Sequence, residues 1–421
     1  MFRFIHAADI HLDSPLRGLE PYDGAPIEHL RGATRRALQN LVELAIAEQA
    51  AFVLFAGDLY DGDWRDYNTG LFFAAQMTKL REVGIRACVI AGNHDAASQL
   101  TRYLRLPDNV TMFSVQRPET VRLDDIDVVV HGQGFPTRAV THDLAATYPN
   151  PIPHLFNIGL LHTSVDGREG HEPYAPCSAD RLRSRGYDYW ALGHVHRREV
   201  LCEDPWIVFP GNIQGRHVRE LGPKGCTLVT VQDQQVVSAQ HRDLDVLRWS
   251  VCDVDVSGAL TGDNVVDFVR QALERQLAAG SGCPMAVRVR LIGACKAHST
   301  LSAHHERWTN EIRAVATDVS NGTICVEQVK TQTRTQADLD HMLARDDALS
   351  DLLRALSSWE TDEPFMAEVA SELRDLVRKL PPELRTGEDA IDLDNPQTLR
   401  QAVDEVKHLL LARLLSQEGG Q

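Results

Sequence analysis

Residues 2–11 read FRFIHAADIH. A short, mostly apolar run leads directly into Asp9, Ile10 and His11, so a buried strand delivers a carboxylate and an imidazole to its carboxyl end. Side chains two apart on an extended backbone face one side, which puts Asp9 and His11 together. The same pattern recurs in AFVLFAGD (51–58), IRACVIAGNHD (85–95), IDVVVHGQGF (126–135), FNIGLLHTS (156–164), YDYWALGHVH (187–196), WIVFPGN (206–212) and CTLVTVQD (226–233). Each reads as a strand, and most end in Gly, Asp, Asn or His, where a loop begins. Helical stretches lie between them, at 33–49 and 68–83. Near-continuous apolar strands with intervening helices imply sheets covered on both faces, a layered α/β fold. In such folds the loops at the carboxyl ends of strands build the site.

Beyond this first part, residues 1–245, the chain changes character twice. Residues 246–333 read strand (248–256), helix (264–279), strand (285–291), helix (301–315), strand (323–330), a small βαβαβ unit with little chemistry of its own. Residues 334–421 are helical in pattern. Leu339, Met342, Leu343, Leu349, Leu353 and Leu356 form one apolar stripe, and Ala402, Val403, Val406, Leu409, Leu410 and Leu414 form another. Pro381, Pro382 and the segment at 392–396 divide this tail into about three helices. Such stripes need cover; the helices packing on one another and a partner's groove both provide it.

The 421 residues suffice for two or three domains with a sizeable core. No run approaches the roughly 20 apolar residues of a membrane span, and Asp9 and His11 interrupt the first strand too early for a signal peptide. The reading is a cytoplasmic protein. Eight cysteines without a CxxC pair argue against a zinc ribbon or redox motif. The net charge of −16 counts against a basic, sequence-specific DNA-binding module. Half of that charge sits after residue 340, where seventeen acidic residues face nine basic ones.

Five segments carry the chemistry: Asp9-Ile-His11, Gly57-Asp58, Gly92-Asn93-His94-Asp95, His162, and Gly193-His194-Val195-His196. Each follows an apolar strand. Asp58 offers a carboxylate that can bridge two cations, and Asn93 offers a neutral carbonyl oxygen. The adjacent glycines let the backbone turn sharply and approach closely. A lone DxH or GHxH is a weak signal, commonly a turn with a buried histidine. Together, seven mixed oxygen and nitrogen ligands suit two manganese, iron or zinc ions.

The series D-x-H, GD, GNHD, a strand-terminal His and GHxH resembles the calcineurin-like metallophosphoesterase superfamily over about residues 1–230. Within it, ADIHLDSPL, AGDLYD, AGNHD, DYWALGHVH and PGNIQGRHVRELGPKG look like the SbcD-type DNA-repair exonuclease group, in its YhaO-like branch. The resemblance implies a core of two mixed β-sheets flanked by helices, with a small α/β cap and a helical C-terminal tail. It implies one metal on Asp9, His11 and His196, a second on Asn93, His162 and His194, and Asp58 between them. It makes His94 the substrate-facing histidine and Asp95 its orienter. It also implies a DNA exonuclease, most readily manganese-dependent, working with a coiled-coil SMC-like ATPase that docks on helices after the cap. Whether the chain forms a homodimer is left open.

Two divalent cations, about 3.5–4 Å apart in such sites, would bring four positive charges against the two negative ones of Asp9 and Asp58. The surplus attracts a phosphate ester and acidifies a shared water. Arg216, His217 and Arg219, after WIVFPGN, and Arg197 and Arg198, after GHVH, read either as phosphate contacts or as solvated loop charges. Asp13 and Asp61 read as orienters of the ligands or as turn and helix caps. Two rivals stand beside the nuclease: a phosphoesterase for nucleotides or other small diesters, and a non-catalytic adaptor with a structural metal site.

Overall fold

A computed structural model of the chain describes residues 1–19, 32–61, 67–97, 105–167, 174–280 and 282–335, with parts of 350–406. By its contacts the chain forms two compact units. One comprises residues 1–251, 276–288 and 316–328; the other comprises 252–275, 289–315 and 329–421.

The first unit contains two six-stranded sheets. Strands β1 (Phe2–Ala7), β2 (Phe52–Ala56), β3 (Arg86–Ile90) and β4 (Val110–Met112) run parallel, and β11 (Gly225–Gln232) and β12 (Gln235–Asp243) add antiparallel to the other side of β1. The order is β12-β11-β1-β2-β3-β4. The second sheet takes β5 (Glu119–Leu123), β6 (Val128–Gln133), β7 (Phe156–His162), β8 (Tyr189–Gly193), β9 (Glu199–Glu203) and β10 (Trp206–Phe209) in the order β5-β6-β7-β8-β10-β9. Both sheets are mixed, as the family resemblance implies.

The two-residue period of a strand sorts the core into layers. Ile5, Ala7, Val53, Phe55, Ala87 and Val89 face helices α1 (Ala33–Ala47) and α2 (Tyr67–Glu82). Their neighbours Phe4, Phe52, Leu54, Cys88 and Ile90 face the second sheet, meeting Val130, Phe156, Ile158 and Tyr189. Phe4 stacks on Phe52 at 4.9 Å and meets the Tyr189 ring edge-on at 5.2 Å. Each fully buried side chain of this size contributes roughly 1.5–3 kcal/mol. Helix α1 buries Ala37, Leu38, Leu41, Val42 and Ala45, spaced for one face. The far side of the second sheet buries Trp190, Leu192 and Phe209 under a layer that includes helix α3 (Ala179–Ser184). This architecture drives the carboxyl ends of β1, β2 and β3 toward those of β7 and β8.

The βαβαβ order expected after residue 245 is present: β13 (Arg248–Asp255), α4 (Gly262–Ala279), β14 (Met285–Cys295), a helical segment, and β15 (Ile324–Thr335), with strand order β13-β14-β15. The helical segment is two helices, α5 (His298–Ala303) and α6 (His305–Ser320), because His304 leaves helical geometry at φ −128°, ψ 45°. In the second unit, helix α7 (Glu363–Lys379) buries Met366 against Leu399 and Val403, with Phe365, Val369 and Leu373 alongside. Here helices after residue 350 cover one another. Of the first apolar stripe in the tail, Leu339, Met342, Leu343, Leu349, Leu353 and Leu356 lie outside the described residues, as do Leu409, Leu410 and Leu414 of the second.

Candidate metal centre

The five segments converge. Asp9 and His11 follow β1, Asp58 follows β2, Asn93 and His94 follow β3, His162 ends β7, and His194 and His196 follow β8. Asp9, Asp58 and His11 sit at φ of 51°, 52° and 45°, and His194 at 103°. Non-glycine residues rarely adopt this left-handed region, and clusters of it mark functional sites. Two glycines permit the approach. A Cβ on Gly92 would lie 2.2 Å from Asp58 Oδ1, and one on Gly193 would lie 1.9 Å from the Ala56 carbonyl oxygen.

Three groups of ligand atoms lie within 4.8 Å of one another among the described residues: Asp9 with His11 and His196, Asp9 with Asp58 and His162, and His11 with Asp58 and His94. The first is the triplet expected for one metal. Asp58 stands between the groups, its Oδ2 3.6 Å from His162 Nε2 and 4.0 Å from His11 Nε2. Its Oδ1 accepts the His94 backbone N–H at 2.9 Å. The His194 backbone N–H donates to both oxygens of Asp9, at 3.2 and 3.0 Å. The His194 ring packs beside His162, centroids 5.3 Å apart, and against Tyr174 at 5.7 Å, but belongs to none of the three groups.

The donor chemistry fits cations. His162 Nδ1 donates to the Ala56 carbonyl at 2.8 Å, which leaves Nε2 a lone pair; that lone pair faces Asn93 Oδ1, another acceptor, at 2.9 Å. His196 Nδ1 donates to Glu220 Oε1 at 2.7 Å, so its Nε2 is also a lone pair, and it faces His11 Nε2 at 3.2 Å. Two nitrogens ligating one ion at about 2.1 Å each stand about this far apart. His11 Nδ1 is buried without a hydrogen-bond partner. The carboxylates tell the same story. Burial raises Asp9 well above the usual carboxylate range, with the Asp58 charge adding to it, and burial pushes Asp58 up to about 6. Burial lowers His162 to about 3 and His11 well below the usual imidazole value. Bound divalent cations would stabilise both ionised acids and neutral imidazoles.

His94 is less enclosed, its side chain 29% exposed, and its ring meets His11 edge-on at 5.0 Å. Its Nδ1 lies 2.9 Å from Asp61 Oδ1. Burial works against a charge on His94, but the Asp61 hydrogen bond and the Asp58 charge outweigh it and raise its pKa. The carboxylate on His94 Nδ1 is that of Asp61, and Asp95 is engaged with backbone. Asp95 opens a short 3₁₀ turn and is buried, and its carboxylate accepts the backbone N–H groups of Leu59, Tyr60 and Gly92 at 3.1, 2.9 and 3.0 Å. Asp95 thereby ties the β2 loop to the β3 loop. Asp13 serves the helices, accepting from Arg35 on α1 and Thr69 on α2.

Glu220 escaped the sequence reading. Its carboxylate is 5% exposed and takes hydrogen bonds from His196 Nδ1, Asn212 Nδ2 at 2.9 Å and the Arg216 backbone N–H at 2.7 Å. The Arg216 guanidinium stands between carboxylates, 3.2 Å from Glu220 Oε1 and 3.7 Å from Asp61 Oδ2. His217 is more open, one third exposed, with Nε2 3.7 Å from Glu220. His6 and His131 are core residues. His6 bonds Tyr189 Oη and the Leu192 carbonyl, and His131 bonds Thr120 and Asn157.

Comparison with known proteins places this geometry. Residues 2–198 match the calcineurin-like phosphoesterase family, and residues 249–334 match the middle domain of metallophosphoesterase YhaO. Over 294 residues the chain is 37% identical to "Uncharacterized metallophosphoesterase YhaO" of Bacillus subtilis (strain 168), covering 69% of this chain and 71% of that protein. The chain belongs to the metallophosphoesterase family. More distant relatives are named "DNA double-strand break repair protein Mre11". The metallophosphoesterase is 27% identical to that of Methanopyrus kandleri over 55% of its own length and 51% of the relative's. It is 24% identical to that of Sulfurisphaera tokodaii over 65% of its length and 69% of the relative's. The chain thus spans about half of the Methanopyrus protein. Among its described residues no helix is long and apolar enough to cross a membrane.

Proposed function

We propose that this metallophosphoesterase is a dinuclear-metal phosphodiesterase that cleaves DNA. The observation that carries the proposal is the convergence of His196 Nε2 on His11 Nε2 at 3.2 Å and of the His162 Nε2 lone pair on Asn93 Oδ1 at 2.9 Å, on either side of Asp58 Oδ2. Asp9, His11 and His196 would hold one cation, and Asn93, His162 and His194 the other, with Asp58 shared. Manganese is the metal of choice, and iron and zinc suit the same donors. Such cations supply Lewis-acid polarisation of phosphoryl oxygens and a water acidified toward hydroxide at neutral pH.

The chain's own groups do the rest. His94 is the partly exposed histidine of the set, placed to donate a hydrogen bond from Nε2 to a phosphoryl or leaving oxygen. Asp61 fixes the proton on Nδ1 and stabilises the imidazolium. Arg216 adds positive charge beside the site, and His217 is placed to meet a phosphate.

DNA as the substrate draws support from the naming of the Mre11 relatives and from the wording of the residue 210–225 loop. The second reading, hydrolysis of small diesters, draws support from the net charge of −16. Purified protein with Mn²⁺ is to be assayed on end-labelled single- and double-stranded DNA and on a chromogenic diester. Shortening of the labelled DNA is expected; turnover of the chromogenic diester alone would retire the nuclease. We further propose three domains, 1–245, 246–333 and 334–421, with the last docking a coiled-coil ATPase. Removing residues after Arg334 should abolish that binding, and unchanged binding would refute it.

A further inference from the structure

We infer that Glu220 is a positioning residue for the metal centre, holding His196 in its ligating tautomer, and that Arg216 joins it to the Asp61–His94 pair. The inference rests on the dinuclear reading above. Neither residue is a ligand in any of the three clusters.

An imidazole ligates through one nitrogen only when the other carries the proton, and the group accepting that proton sets the ring's orientation. His196 follows β8 in a loop, and its side chain is 22% exposed, so the fold alone does not fix its rotation. Glu220 Oε1 at 2.7 Å from Nδ1 does, and it leaves Nε2 directed at His11.

Glu220 is itself held by its surroundings. Asn212 Nδ2 and the Arg216 N–H donate to its Oε2, and the Arg216 guanidinium donates to its Oε1. The loop carrying it is fixed at several points. Trp249 Nε1 donates to the Gly215 carbonyl at 2.9 Å, Gln214 Nε2 to the Leu247 carbonyl at 2.7 Å, and the Arg17 N–H to the Arg216 carbonyl at 2.8 Å. Lys224 Nζ reaches the His196 carbonyl at 3.0 Å. A Cβ on Gly215 would come within 2.8 Å of Trp249 Cδ1, so the indole fits that residue closely.

Arg216 carries the connection onward. With Glu220 on one side and Asp61 on the other, it links the carboxylate behind His196 to the carboxylate behind His94. One loop, between Phe209 and Gly225, therefore positions a ligand and the substrate-facing histidine together.

The test uses the full chain and Mn²⁺, with affinity measured by calorimetry against a competing chelator for wild type, Glu220→Gln and Glu220→Ala. Wild type is expected to bind two Mn²⁺. Glu220→Ala should weaken one of them by roughly 10–100-fold, and Glu220→Gln, which keeps an acceptor oxygen without the charge, should fall between. The downfield imidazole N–H resonance of His196 should vanish in Glu220→Ala. Two wild-type Mn²⁺ sites with unchanged affinities in both variants would overturn the inference alone, and would mark Glu220 as a loop brace only. Fewer than two sites in wild type would overturn the dinuclear reading and the inference with it. If Glu220→Ala does not fold, Glu220→Gln and its His196 resonance decide the matter.

Discussion

His94 Nδ1 lies 2.9 Å from Asp61 Oδ1, across a separation of 33 residues in sequence. A carboxylate so placed holds the proton on Nδ1 and stabilises positive charge on the ring. Asp61→Asn keeps the shape and removes the charge. Turnover should fall by about 10²–10⁴, the range of a general acid–base contribution, while the Mn²⁺ content of the protein stays that of wild type. Loss of metal along with activity would move Asp61 from proton management to assembly of the centre.

Metal removal should be visible without any substrate. Asp9 and Asp58 are buried together with pKa values pushed upward, so cations that bind only the folded chain stabilise it. At a hundredfold excess over the dissociation constant, one site contributes about 2.7 kcal/mol. Chelation should lower Tm by several degrees, and added Mn²⁺ should restore it. A Tm indifferent to both treatments would contradict the assignment of these residues.

His6 predicts a pH dependence of stability. Burial holds its folded pKa at about 3, with its ring already committed to Tyr189 and Leu192, whereas the unfolded chain titrates near the usual value of 6.5. Above pH 6.5 neither state binds the proton and nothing changes. As pH falls from 6.5 toward 3 only the unfolded state gains it, so stability declines by about 1.4 kcal/mol per unit of pH. Denaturant titrations at pH 7.5 and pH 5 should show a smaller decline for His6→Gln than for wild type. Equal declines would exclude His6 as a source.

Gly193→Ala is expected to be severe. The added carbon would sit 1.9 Å from the Ala56 carbonyl oxygen, a backbone atom that cannot rotate away. A loss of about 3 kcal/mol or more, at the upper end of overpacking, should appear in denaturant unfolding together with weakened Mn²⁺ binding. A near-neutral variant would show that the two sheet ends separate more easily than the structure implies.

The central strands and most of the centre were legible in the sequence because each signal is local. FRFIHAADIH carries its own strand, its own turn and two ligands. The edge strands were not legible. β5 and β12 alternate exposed and half-buried positions, ETVRL and QVVSAQHRD, and lack the continuous apolar run that marks a strand covered on both faces. The same limit applies to the partners of the histidines. The family resemblance gave Asp95 the orienting role, whereas the carboxylate 2.9 Å from His94 Nδ1 is that of Asp61, from the loop after β2. Glu220 is 24 residues from His196 in a loop whose reading gave only charges. Residue spacing identifies what leaves a strand together, but not which loops meet.

His11 and His196 face each other across 185 residues of chain. On the ribosome the first two donors emerge early, and nothing can complete their set until the second sheet has followed. Glu220 comes later still. For about a third of its synthesis, from Asp58 to His196, the nascent chain carries Asp9, His11 and Asp58 without the third member of the Asp9, His11 and His196 group. On the dinuclear reading, loading of the cation held by His11 and His196 therefore comes late in synthesis, scheduled by the order of the strands.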